Sequence, residues 1–166
     1  MAGILPDVLA PGLALVVCGS AAGKRSAALR QYYAGRGNKF WPTLHEVGLT
    51  PRRLAPAEYA LLLEYGIGLT DVIKDQSGQD AQLDFRRADP DALRAKILRY
   101  APRWLCFSSK AAAQTFLGRQ VDYGVQPETL GTTRLYVATS PSGAASGSWD
   151  ISVWHALAEL VKAETT

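Results

Sequence analysis

Four short stretches of the 166-residue chain carry groups suited to binding anions or moving protons. The first, Gly19-Ser20-Ala21-Ala22-Gly23-Lys24-Arg25-Ser26, joins permissive backbone to two cations directly after the apolar run Leu13 to Cys18. Loops of this kind offer backbone N–H groups and positive charge to a phosphate. The spacing departs from the nucleotide-binding pattern, which has four residues between its glycines and a Ser or Thr directly after Lys. Here three residues intervene and Arg25 displaces Ser26. No later strand ends in an acidic residue well suited to magnesium, so a degenerate phosphate loop stands beside a plain turn as a reading of this stretch.

The second stretch, Gln31 to Trp41, combines Tyr33, Arg36, Asn38 and Lys39. An Asn beside Gly either contributes a polar group to a site or holds its own loop through side-chain to backbone hydrogen bonds. The third, Gly66 to Ile73, contains Asp71, whose carboxylate is suited to general-base work, to stabilising a cation, or to capping a turn. The fourth runs from Ser140 through Pro141, Ser142, Gly143, Ala144 and Ala145 to Ser146. Net charge is only +3, so the position of the cations matters more than their number. Lys24, Arg25, Arg30, Arg36 and Lys39 crowd into the first two stretches, which fits either a phosphate-binding face or a solvated one.

The elements that must position these groups alternate in type. Leu13 to Cys18 reads as a strand covered on both faces, with Ser26 capping a helix through Leu29 toward Tyr33. Trp41 to Val47 and the segment opening at Pro56 read as further helices, the latter with Tyr59, Leu62 and Leu63 on one face and Gly66 as its end. Gly66 to Ile73 is extended, and Lys74 to Arg87 is a polar surface loop. Asp89 caps a helix that starts at Pro90 and buries Leu93, Ile97 and Tyr100. Arg103 to Ser108 is a second buried strand, Ser109 caps the helix after it and Gly118 closes that helix. Leu135 to Ala138 is a late strand, and Ile151 to Lys162 an amphipathic helix. This alternation predicts one domain over residues 1–166, an α/β fold: a three-layer α/β/α sandwich with a mainly parallel central sheet.

Composition narrows the function classes. Hydrophobic residues make up 48% and charged residues 20%, with no run near the roughly 20 apolar residues that span a bilayer. The opening residues MAGILPDVLAPG lack a basic stretch before their apolar residues, so a signal peptide is not expected and a cytoplasmic protein is. Cys18 and Cys106 sit inside apolar runs and read as reduced core thiols. With His45 and His155 far apart, no metal site is expected.

GSAAG after the first strand, YYAGRGNKFW, GIGLTDVI and SPSGAAS before the last helix, in this order, resemble the uracil-DNA glycosylase superfamily. Within it they are most similar to the branch of mismatch-specific uracil and thymine DNA glycosylases. The resemblance spans nearly the whole chain. It implies a three-layer α/β fold and excision of uracil from single- and double-stranded DNA by a monomer that uses neither cofactor nor metal and leaves an abasic site.

Carried across residue by residue, the resemblance also exposes departures. Relatives read Gly-Ile-Asn-Pro-Gly in the first loop, and their Asn positions the attacking water. Ala21 stands at that place here, within the base-binding stretch of Gly19, Ser20 and Ala21. Asn38 is the first candidate to replace it, as implied by a hypoxanthine-type branch that relies on the Asn of this segment; Asp71 is the second. Tyr33 matches the aromatic position that stacks on the extruded base, an interaction of roughly 1–3 kcal/mol; in the rival reading Tyr33 is core and Tyr32 exposed. Ser140 stands where relatives place a His or Asn that contacts the base. Lys24, Arg25, Ser26, Arg36, Lys39, Ser142, Gly143 and Ser146 would approach DNA, with Ala144 and Ala145 where relatives carry a bulky wedge. Loss of the first-loop Asn leaves open a noncatalytic binder of uracil-containing DNA.

Overall fold

The computed structural model describes residues 4–163. Strands β1 (Leu15–Gly19), β2 (Ile67–Asp71) and β3 (Trp104–Phe107) are buried along their whole length. Unbroken apolar runs give such strands because both faces are covered. With β4 (Gly124–Leu130) and β5 (Thr133–Val137) they form one sheet in the order β2-β1-β3-β5-β4. All pairings are parallel except β4 with β5. The sheet is thus mainly parallel, as expected.

The two-residue period of the strands divides the core into two layers. Leu15, Val17, Trp104, Cys106 and Tyr136 pack on one side with α2 (Phe40–Glu46), the turns of Pro56–Tyr65 and α5 (Ile151–Ala163). Val16, Cys18, Leu105, Phe107 and Val137 pack on the other with α3 (Pro90–Tyr100) and α4 (Lys110–Leu117). The three-layer sandwich follows from this division. Asp89 caps α3 by accepting from the Ala92 N–H, and Ser109 caps α4 by accepting from the Ala112 N–H. Both cysteines are free and buried.

Four local readings need correction. Helix α1 (Lys24–Leu29) is only six residues long; Gly23 is its N-cap, and Ser26 lies within it instead of capping it. It stops well before Tyr33 because Arg30 turns left-handed at φ +55°. Pro56–Tyr65 is wound as 3-10 turns with a break at Glu58, and the tighter winding puts Leu63 in solvent while Leu62 stays buried. Tyr100, expected to be buried in α3, is only partly covered, whereas Leu93 and Ile97 are buried. Sequence patterning also misses β4, an edge strand that is half exposed and irregular between Val125 and Thr129, where Pro127 withholds an N–H from the ladder.

The opening segment contributes more than its sequence suggests. Val8 exchanges both backbone hydrogen bonds with Leu69, and the Ile4 N–H donates to the Lys74 carbonyl, so residues 4–8 run along the outer edge of β2. That covers the free edge and carries Asp7 toward the end of β2. Two substitutions calibrate the scaffold by denaturant unfolding. Leu105→Ala, in a strand position without solvent contact, should lose about 2–5 kcal/mol, and Asp89→Ala, which removes only the α3 cap, about 1 kcal/mol.

Candidate active site

The carboxyl ends of β1, β2 and β3 open into a cleft of about 610 Å³. This is where an open α/β sheet places its ligands. The parallel register sets Gly19 beside Asp71 at the ends of β1 and β2, and hydrogen bonds from the Val72 and Ile73 amides to the Gly19 and Ser20 carbonyls extend the pairing into the loop. The cleft brings together residues from all four chemical stretches: Gly19, Ser20, Ala21, Lys24, Arg25 and Ser26; Tyr33, Arg36 and Asn38; Asp71; and Ser140, Ser142, Gly143, Ala144 and Ala145. Lys39 and Ser146 fall outside its lining. The Lys39 ammonium donates to the Ser146 hydroxyl at 3.3 Å and lies 5.8 Å from the centre of the Trp149 ring.

Asp71 is the most distinctive group. Only 6% exposed, its carboxylate receives no hydrogen bond from the described residues, and Lys74 Nζ stands 4.0 Å away. Burial pushes its carboxyl up to about 6, aided by Asp7 and opposed by Lys74 and Lys96. A carboxylate serving only as a turn cap would accept a backbone N–H, and Asp71 accepts none. Gly19 is what admits it to the cleft floor. A Cβ at position 19 would lie 2.9 Å from Asp71 Oδ1, 3.3 Å from the Tyr33 hydroxyl and 3.5 Å from the Ser108 hydroxyl. Three polar groups therefore converge on one glycine.

Tyr33 faces this point while Tyr32 is buried, its hydroxyl donating to the Pro6 carbonyl. The Tyr33 ring stacks on Phe40 at 3.9 Å between centres and 21° between planes, and its hydroxyl is 3.1 Å from Ser108 Oγ. Its backbone is left-handed, at φ +53°, a strained choice for a non-glycine residue. Loss of water around the hydroxyl, and the nearby Asp71, hold the phenol well above its ordinary range, so it remains protonated. The ring is thereby fixed in direction before any ligand arrives.

Asn38 has a divided role. Its Oδ1 accepts from the Phe40 N–H at 2.9 Å at the start of α2, while no hydrogen bond engages its amide nitrogen among the described residues. Ser26 is buried, and its hydroxyl accepts from the Ala34 N–H to hold the turn after α1. Arg25 donates from Nε to the Ala34 carbonyl. Lys24 and Arg36 are exposed at the rim and form no ion pair among the described residues.

The late loop is built from short-range bonds. Ser140 Oγ accepts from the Ser142 N–H, Ser142 Oγ from the Ala144 N–H, and Ser146 donates to the Gly143 carbonyl. The loop is also tied to the second stretch. The Lys39 N–H donates to the Pro141 carbonyl, and Gly143 packs so closely that a Cβ there would lie 3.0 Å from the Arg36 carbonyl oxygen.

Sequence reasoning missed Ser108, Ser109 and Asp80 as cleft residues. Ser20 Oγ lies 3.3 Å from Ser109 Oγ, and Asp80, exposed on the segment after β2, also lines the cleft. The signal for Ser108 and Ser109 was present: like Ser20, they directly follow a buried apolar strand.

Residues 6–159 match the family described as the uracil DNA glycosylase superfamily. The chain belongs to this superfamily. The solution NMR structure of a candidate uracil DNA glycosylase from Methanosarcina acetivorans is similar at 22% identity with a TM-score of 0.64, covering 95% of this chain and 96% of that one. At that identity the likeness establishes a shared fold. The superfamily match and the cleft coincide, since all the lining residues except Leu5 lie inside the matched region.

The buried carboxylate makes a thermodynamic prediction. A proton binds Asp71 more readily in the folded chain than in the unfolded one, so folding loses stability as pH rises from about 3.8 to about 6, where only the unfolded form is ionised. Asp71→Asn should therefore gain on the order of 1–3 kcal/mol over the parent above that window and little below it. Urea titrations on both sides of the window read the difference.

Proposed function

We propose that the chain is a DNA glycosylase that hydrolyses the bond between uracil N1 and the deoxyribose carbon in single- and double-stranded DNA, with Asp71 as its catalytic carboxylate. The observation that carries this reading is Asp71 itself: a buried carboxylate free of hydrogen bonds at the cleft floor, beside an oriented tyrosine, in a member of a glycosylase superfamily. Ala21 removes the water-positioning side chain expected in the first loop, and Asp71 is the cleft group best able to replace it.

In the proposed reaction the C1′–N1 bond breaks first and its electron pair leaves with the base. The Asp71 carboxylate offsets the positive charge on the sugar and takes a proton from the water whose oxygen bonds to C1′. The proton taken up by Asp71 returns through solvent to N1 of the departed base anion, so the products are neutral uracil and an abasic site, with the strand intact and the carboxylate restored. Tyr33 supplies a platform for the base, and the Ser140 hydroxyl and first-loop amides face the charge that develops on it. Asn38 Nδ2, the half of that amide not used on Phe40, is a further donor to the base. Lys24 and Arg36 at the rim meet backbone phosphates. The four motifs resemble the branch of mismatch-specific glycosylases, which fits this reading. Contrary to the sequence expectation a later strand, β2, does end in an acidic residue, Asp71; a phosphate-binding role is disfavoured by the loop itself, with three residues between its glycines and Arg25 directly after Lys24.

Labelled oligonucleotides carrying one uracil, single-stranded or opposite G or A, test the assignment, with alkali revealing abasic sites. Release should rise with pH through about 6, as Asp71 ionises. Asp71→Asn should lower the rate about 10²–10⁴-fold, and Asn38→Ala should lower it less. Binding without release would make the protein a noncatalytic reader of uracil in DNA, and neither binding nor release would overturn both readings. Lys24→Ala or Arg36→Ala should weaken binding uniformly across sequences and lower the slope of log K against log salt by about 1.

A further inference from the structure

Behind Asp71 lies a chain of charges that the cleft chemistry described above does not use. Asp7, on the segment along the edge of β2, receives three side chains: Lys74 Nζ at 2.9 Å on Oδ1, the Thr70 hydroxyl at 2.7 Å on the same oxygen, and Lys96 Nζ at 2.6 Å on Oδ2. Although burial alone would raise the Asp7 carboxyl, the two ammonium groups hold it below its ordinary value, so it is ionised wherever the protein is folded near neutrality. Lys74 is fixed from three directions: by Asp7, by the Tyr32 hydroxyl at 3.3 Å, and by the Tyr32 ring 5.8 Å from its nitrogen. Its remaining side faces Asp71 Oδ2 at 4.0 Å.

We propose that Asp7 and Lys74 are positioning residues for Asp71: Asp7 anchors the Lys74 ammonium at a standoff from the Asp71 carboxylate, close enough to keep it ionised and too far to capture it. This rests on the reading of Asp71 as the catalytic carboxylate. The geometry separates two functions that one ion pair would merge. A lysine in direct contact with Asp71 would leave it a weak proton acceptor, and no cation at all would leave a buried carboxyl protonated at working pH. Asp7 prevents the first by engaging Lys74 at shorter range, and Lys74 prevents the second.

Charged and titratable groups reach Asp71 from every neighbouring element. Asp7 comes from the opening segment, Lys74 from the end of β2 and Lys96 from α3. Cys18 of β1 and Tyr32 and Tyr33 from the turn after α1 also lie within its field, and burial keeps all three protonated. Only the lysines and Asp7 therefore carry charge that varies the behaviour of Asp71.

The decisive experiment is a carbon-13 NMR titration of the Asp71 side-chain carboxyl, assigned by loss of its signal in Asp71→Asn, in the parent chain and in Lys74→Met, Lys74→Arg and Asp7→Asn. Lys74→Met removes the favourable charge, so the midpoint should move up. Asp7→Asn removes an opposing charge and frees Lys74 to approach, so it should move down; Lys74→Arg should stay near the parent. Opposite shifts in the two charge-removing variants exclude a purely structural role, which would loosen burial and move both the same way. Unchanged midpoints in folded variants, or shifts of one sign, would overturn the proposal. If Lys74→Met does not fold by circular dichroism, the downward shift in Asp7→Asn decides. In the uracil-release assay the acidic limb should follow the NMR midpoint variant by variant. If the parent releases no uracil, the functional reading fails while the titration still decides the charge relay.

Discussion

Everything at the cleft depends on the absence of a side chain at position 19. The parallel register between β1 and β2 sets residues 19 and 71 alongside each other, and the Asp71 carboxylate turns in over residue 19, so that a Cβ there would lie 2.9 Å from its Oδ1. Hydrogen at Gly19 leaves room for the Asp71 carboxylate, the Tyr33 hydroxyl and Ser108 to meet. The same contact strips water from the carboxylate, which raises its affinity for a proton. Steric permission and chemical tuning therefore have one origin.

The price of such a site is distributed over the scaffold. A buried carboxylate without hydrogen bonds opposes folding, and Tyr33 adopts a left-handed backbone that disfavours its residue type. Both are held by rigid neighbours: the fully buried strands beneath Asp71, and Phe40 stacked against the Tyr33 ring. Local rules are broken only where the surrounding core overrules them, which is the pattern expected of a functional site.

The architecture was legible where one physical signal dominated. Unbroken apolar runs located β1 and β3, and Asp89 and Ser109 announced their helices because a short polar side chain before a helix has one strong use. The late strand emerged, but its partner β4 did not, since an exposed edge strand containing Pro127 lacks both alternation and a full ladder. Of the site, motif order pointed to four stretches, and the fold brings nearly every residue singled out to one cleft. What the sequence could not convey was direction. It ranked Asn38 above Asp71 because spacing does not reveal that the Asn38 oxygen faces the Phe40 amide while Asp71 faces nothing that bonds it. It also left Asp7 unremarked, because only the pairing of Val8 with Leu69 carries that residue behind the site.

The tie between the second stretch and the late loop bears on how this cleft can be altered. With the Lys39 amide on the Pro141 carbonyl, Lys39 Nζ on Ser146, and Gly143 seated against Arg36, segments about a hundred positions apart behave as one mechanical part. A loop graft from a relative that replaces residues 140–146 alone would arrive without its counterpart and tilt the turn that carries Asn38. Exchange between family members at this rim is thus a two-segment operation.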